Sequence, residues 1–170
     1  MTYKTDRELL SLVLRPYRQG CQYLKTAVLE LAQDRMPTVS GDFEIGDSCY
    51  IDDTGHFNAV EFNICYNQLA YYLIAKSVQE ALLPAMRHWT LEDFWRLQLP
   101  DILITDFRST FKRKMRGKTF SGSVSLTDIT RVGKSDWCDA LIVLHTSCRF
   151  WDEPGGLSHG KVTLAITNPI

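Results

Sequence analysis

The sequence predicts an α+β fold: an antiparallel sheet wrapped around one central buried helix, with a short helix nearer the N-terminus. Three observations carry this. The stretch Gly55 to Ala75, GHFNAVEFNICYNQLAYYLIA, opens with a Gly-His turn and continues as a helix apolar on nearly every side. Val60, Phe62, Ile64, Cys65, Leu69, Tyr72, Leu73 and Ile74 cover most of its wheel, whereas a surface helix carries a single apolar stripe, so other structure must enclose it. From Ile102 onward the chain reads as four long β-rich runs, and 170 residues at 45% hydrophobic content are enough for one sizeable core.

The elements follow in order. Thr5 with Glu8 has the form of a capping box, which predicts a helix from Asp6 to Arg15 stopped by Pro16, with Tyr17 just beyond. Gln22 to Leu31 and Thr38 to Ile45 read as strands around a polar turn at Asp34 to Pro37. The loop Gly46 to Gly55 leads into the central helix, which continues with more polar character toward Leu83 and ends near Pro84. Thr90 with Asp93 starts a second short helix ending before Pro100. The final strands are Ile102 to Lys114, Thr119 to Arg131, Asp139 to Trp151 and Leu157 to Thr167. No repeat or linker interrupts them, so 1–170 is read as one domain.

A formal net charge of -1 argues against a nucleic-acid binder. Glu61, Asn63, Asn67 and Gln68 interrupt the apolar helix well short of the roughly 18 apolar residues of a membrane span. MTYKTDRE is not a signal peptide, which predicts a cytoplasmic protein. The cysteines at 21, 49, 65, 138 and 148 are odd in number and lack CxxC spacing, so they read as reduced, mostly buried thiols. The four histidines have no metal-ligand spacing, and neither GxSxG nor GxGxxG occurs.

On the central helix, Asn58, Glu61 and Gln68 share one side at about 100° per residue, while Asn63 and Asn67 fall on another. Two polar patches on a buried helix predict two polar surroundings, such as an active site and a subunit contact.

The turn Gly55-His56-Phe57-Asn58 resembles the GHxN turn of acyl-thioester enzymes of the hotdog fold. The wider pattern, Tyr50-Ile51, then Thr54 to Glu61, then Asn67-Gln68-Leu69-Ala70-Tyr71, resembles the FcoT family. Pro16-Tyr17, Gly20-Cys21, Phe43 to Gly46, Phe150 to Glu153 and Gly155-Gly156 extend the likeness over most of the chain. That family is described as long-chain acyl-CoA thioesterases, and also as (2E)-enoyl-[acyl-carrier-protein] glycyltransferases of isonitrile lipopeptide biosynthesis. The resemblance therefore implies glycine addition to a (2E)-enoyl thioester and release of a 3-[(carboxymethyl)amino] fatty acid. Hydrolysis alone is the second reading, and a catalytically silent acyl-binding module the third. Neither enzymatic reading calls for a metal or a resident cofactor, since the substrate rides on the phosphopantetheine of an acyl carrier protein or on CoA.

The resemblance places Tyr17, Tyr50, Asn58 and Asn67 in the catalytic set. Each also has a structural reading: a helix cap for Asn58, core aromatics with satisfied hydroxyls for the tyrosines, a dimer contact for Asn67. His56 and Glu61 are base candidates. Imidazole titrates near neutrality, and a buried carboxylate at a helix N-terminus is pulled upward by burial and downward by the dipole. His56 could equally bond a loop carbonyl. Gly55, Ala59 and Val60 complete the set as substrate-binding residues, the free N–H groups near Asn58 to Val60 at the positive end of the helix favouring the thioester oxygen.

Arg108, Lys112, Arg113, Lys114, Arg116 and Lys118 form a basic run suited to CoA phosphates or an acidic carrier protein, or simply a charged strand face. Arg87, Arg108 and Arg149 are alternatives for the glycine carboxylate. The hotdog likeness further implies a homodimer or a trimer of dimers.

Overall fold

The computed structural model describes residues 1–33, 35–135 and 139–169. Its elements are β1 (Thr2–Tyr3), α1 (Arg7–Leu14), β2 (Val28–Glu30), β3 (Thr38–Glu44), α2 (Ala59–Gln79), α3 (Leu91–Leu97), β4 (Ile102–Arg113), β5 (Thr119–Val132), β6 (Leu141–Trp151) and β7 (Leu157–Thr167). One seven-stranded sheet runs β1-β2-β3-β5-β6-β7-β4, with every pairing antiparallel. The strand that follows α2 thus crosses to the far edge of the sheet. Asp34 of the expected Asp34 to Pro37 turn, Asp136 at the end of the expected Val132 to Asp136 turn, and Cys138 lie outside the described residues.

Burial alternates along β3, β5 and β6, so one sheet face is dry and the other faces solvent. The dry face closes on α2, where Phe62, Cys65, Tyr66, Leu69, Tyr72, Leu73, Ile74 and Ala75 are all buried. This is the hotdog arrangement. No helix is long and apolar enough to cross a membrane among the described residues.

Several local expectations change. Asp6, not Thr5, caps α1: its Oδ1 accepts the Leu9 N–H at 3.0 Å. Thr5 instead accepts the Ala27 N–H at 3.1 Å, so its hydroxyl ties the helix entry to the sheet. The expected strand Gln22 to Leu31 is regular only over Val28–Glu30, because the Tyr23 and Leu24 N–H groups both donate to Gln68 Oε1 of α2 at 3.0 Å. A helix side chain takes these two donors, while Leu24 keeps an isolated antiparallel bridge to Phe43 of β3.

α2 stops at Gln79, earlier than Pro84 suggests. The Leu82 N–H reaches Ser77 O at 2.8 Å and the Ala81 N–H reaches Val78 O at 3.1 Å, the paired bonds of a Schellman stop. Ala81 takes the left-handed position, φ 52°, that glycine usually occupies, which is why the stop leaves no mark in the sequence. The two-residue β1 was likewise too short to show periodicity. Finally, α2 is not enclosed along its whole length: Ala59, Val60 and Asn63 are exposed at its first turn and a half.

Candidate active site

The exposed first turn of α2 is held by a rigid approach. Gly55 adopts φ 69°, and Asp53 Oδ1 accepts its N–H at 2.7 Å. Thr54 grips His56 twice: its hydroxyl donates to His56 O at 2.8 Å, and its carbonyl lies 2.9 Å from His56 Nδ1. A carbonyl oxygen only accepts, so Nδ1 carries the proton and the Nε2 lone pair is left to act as a base.

Phe57, next in sequence, is buried and anchors the turn. Its ring lies 4.7 Å from Phe120 and 5.4 Å from Phe150, with Phe62 of α2 6.0 Å away. Its N–H donates to Met115 O at 3.0 Å, joining the turn to the segment after β4. Gly117 makes this approach possible: a Cβ there would stand 2.9 Å from Phe57 N, at a φ of 79°. Buried Asp152 holds the same segment from its other side, Oδ2 accepting the Arg116 N–H at 2.8 Å and Oδ1 the Gly156 N–H at 2.6 Å.

Asn58 caps α2. Its Oδ1 accepts from the Val60 N–H at 2.9 Å and the Glu61 N–H at 3.2 Å, while Glu61 Oε2 accepts the Asn58 N–H at 3.3 Å. The Val60 N–H is therefore consumed by the cap and does not point at a substrate, contrary to the expectation from sequence. Ala59 N–H keeps no partner among the described residues, because the first position of a helix has none within the helix. Asn58 Nδ2 has only a 3.5 Å contact with Thr54 Oγ1. These two donors sit at the positive end of a 21-residue helix and can receive a developing oxyanion.

Two cavities meet at His56. The larger, about 520 Å³, is lined by His56, Phe57, Asn58, Ala59, Phe111, Lys114 and Met115. The smaller, about 10 Å³, is the size of one water molecule and is bounded by Ser48, Asp53, His56, Glu61, Arg116 and Lys118 among others. His56 is the one residue common to both. Glu61 is 5% exposed, and burial raises its pKa against the lowering pull of the Asn58 N–H and the neighbouring Ser48 hydroxyl. Ser48 Oγ is itself buried without a hydrogen-bond partner of good geometry.

His56, Asn58, Glu61, Gly55 and Ala59 thus form one cluster within the chain. Tyr17, Tyr50 and Asn67 line neither cavity. Tyr17 packs partly buried against the core, and that burial, with Tyr71 and Cys65 beside it, pushes its hydroxyl pKa up. Tyr50 is 47% exposed on the loop before the turn. Asn67 donates to Asn63 Oδ1 at 3.2 Å on the outer side of α2. Nine residues separate it from Asn58, roughly 13 Å along the axis and half a revolution around it, so the two amides of one chain face apart. Among the described residues no group of three or more His, Cys, Asp or Glu side chains could hold a metal ion.

Phe111 and Met115 had no functional signal in sequence, and Asp152 stood out only as part of the family likeness. The run Arg113 to Lys118 drew attention only by charge, and nothing local marked Lys114 as the member facing a cavity.

Residues 12–166 match the model of the FcoT-like thioesterase domain. A (2E)-enoyl-[ACP] glycyltransferase of Streptomyces coeruleorubidus is 48% identical over 167 residues, covering 96% of this chain and 98% of that protein. A protein of the same name from Mycobacterium marinum is 38% identical, covering 95% of this chain and 86% of its own length. Among solved structures, a candidate thioesterase from Syntrophus aciditrophicus superposes with TM-score 0.56 at 11% identity, covering 94% of this chain and 95% of that one. A mutant thioesterase from Pseudomonas aeruginosa gives TM-score 0.50 at 12% identity, covering 95% and 94%. These distant structures share the fold, while the family match and the near-full-length relatives show that this chain belongs to the FcoT-like thioesterase family.

Proposed function

We propose that this protein is an enzyme that adds glycine to the β-carbon of a (2E)-enoyl thioester borne by an acyl carrier protein, then hydrolyses the thioester to release a 3-[(carboxymethyl)amino] fatty acid. The observation that carries it is the 48% identity to a (2E)-enoyl-[ACP] glycyltransferase over 167 residues.

The His56 cluster suits both steps. His56 Nε2 takes a proton from the glycine ammonium, and the freed amine forms a C–N bond at C3. The C2=C3 electrons move through C2 to the thioester oxygen, giving an enolate that Ala59 N–H and Asn58 Nδ2 stabilise. C2 then recovers a proton, which imidazolium can return. In the second step water attacks C1, the same donors hold the tetrahedral oxyanion, and the pantetheine thiol leaves. Glu61 faces the narrow cavity shared with His56 and can orient that water. Tyr17, Tyr50 and Asn67, which line neither cavity within one chain, enter through a second subunit. β4 is one of the two edge strands of the sheet, and its Phe111 lines the larger cavity, so a copy paired along that edge would complete the site. The reading implies at least a homodimer, with a trimer of dimers as a larger form, an acyl carrier protein or CoA docking near the exposed Lys112, Arg113 and Arg116, no resident cofactor, and a cytoplasmic location.

Mass analysis of the acid released from a (2E)-enoyl thioester, with and without glycine, is the test. The expected product gains one glycine. Release of only the unsubstituted enoic acid would leave thioester hydrolysis as the activity.

A further inference from the structure

We infer that Lys114 is the specificity determinant for the amine, pairing with the carboxylate of the incoming glycine. The inference rests on the proposed glycine addition and names the group that selects its nucleophile.

The larger cavity is mostly apolar, with Phe57, Phe111, Met115 and Ala59 in its walls. Lys114 is its one lysine or arginine, and it has no ion-pair partner within 4.0 Å among the described residues. The other basic candidates are engaged or elsewhere. Lys118 pairs with Asp53 at 3.0 Å and donates to Gly46 O at 3.0 Å. Arg116 borders the narrow cavity. Arg87 donates to His88 at 2.9 Å, Arg149 lies 5.4 Å from the Trp151 ring centre, and Arg108 borders neither cavity.

The backbone under Lys114 is fixed relative to the reacting centre. Met115 O receives the Phe57 N–H, the next N–H is held by Asp152, and the pairing of β4 with β7 shifts register between Phe111 and Arg113, two residues before Lys114. This fixes Lys114 in the lining of the cavity that it shares with His56 and Asn58. An anion recognised here sits beside the thioester. A carrier phosphate is separated from the thioester by the whole pantetheine arm, so the nucleophile's own carboxylate is the anion that fits. A cation beside the glycine ammonium also lowers the amine pKa, easing the proton transfer to His56.

The test compares glycine with glycinamide, which keeps the amine and loses the anion, using the intact enzyme and a (2E)-enoyl thioester of an acyl carrier protein. Loss of one charge-assisted contact predicts that Lys114→Met raises KM for glycine about 10- to 100-fold, with a far smaller change in kcat. The preference for glycine over glycinamide falls with it, Lys114→Arg restores most of that preference, and Lys114→Glu reverses it. The acidic limb of the glycine-dependent rate moves to higher pH in Lys114→Met. A ratio of two amines on one preparation does not depend on how much of it is folded. An unchanged glycine preference in Lys114→Met overturns the assignment while leaving glycine addition standing. Absence of any glycine adduct from the wild-type enzyme overturns both.

Discussion

Glu61 and Gln68 lie seven residues apart on α2, on nearly the same side, and both are buried, yet they end in opposite circumstances. Gln68 is 0% exposed and uses both ends of its amide: Oε1 takes the Tyr23 and Leu24 N–H groups, and Nε2 donates to Cys21 O. Glu61 is almost as buried, but it accepts the Asn58 N–H only at 3.3 Å, and its pKa is displaced upward by burial. A polar group bonded at both ends serves structure, because its acceptor and donor sides are committed to fixed partners. An incompletely satisfied one beside a cavity retains reactivity, at some cost in stability.

That contrast can be broken experimentally, the first turn by activity and the middle of the helix by stability. The largest expected effect is at His56. His56→Ala lowers turnover of the enoyl thioester about 10²- to 10⁴-fold in a product assay while the thermal midpoint stays near that of the wild type, since the side chain is exposed. A comparable loss of folding would instead make His56 structural.

Gln68→Leu comes next. It strands two N–H groups and one carbonyl in the interior, so urea titration should give a loss of about 3 kcal/mol or more. A stable Gln68→Leu protein with lowered turnover would move Gln68 to the chemical side of the comparison.

Asn58→Ala removes a cap and an oxyanion donor together. Unfolding should become easier by about 1 kcal/mol, with loss of turnover beyond what the unfolded fraction explains.

The smallest effect is the pH dependence contributed by Glu61. Burial raises its folded pKa above the ordinary glutamate value of 4.5, so its favourable contribution is complete below that pH and is lost as pH rises through the folded value. The stability difference between the wild type and Glu61→Gln should therefore move against the wild type as pH climbs from 4.5. A flat difference across that range would mean that the carboxyl is not perturbed.

The elements legible in sequence were those with long periodic patterns. α2, the four C-terminal strands and the cap of α3 by Thr90 and Asp93 all appear near their predicted places. The illegible ones depended on distant partners. The Gln22 to Leu31 strand shortens because Gln68, more than forty positions away, takes its backbone donors. α2 ends at a left-handed alanine rather than at proline.

The site divides along the same line. The sequence by itself determined the turn into α2, since Gly55 supplies the positive φ, Asn58 and Glu61 the reciprocal cap, and the apolar run behind them the burial; all of these are interactions between neighbours. Only the tertiary structure decided that seven phenylalanines from β3, α2, β4, β5, β6 and the turn pack together, and that Lys114 lines the cavity with His56. Which polar groups are exhausted and which remain free is set by partners far along the chain, and that accounting closes only when the sheet has wrapped the helix.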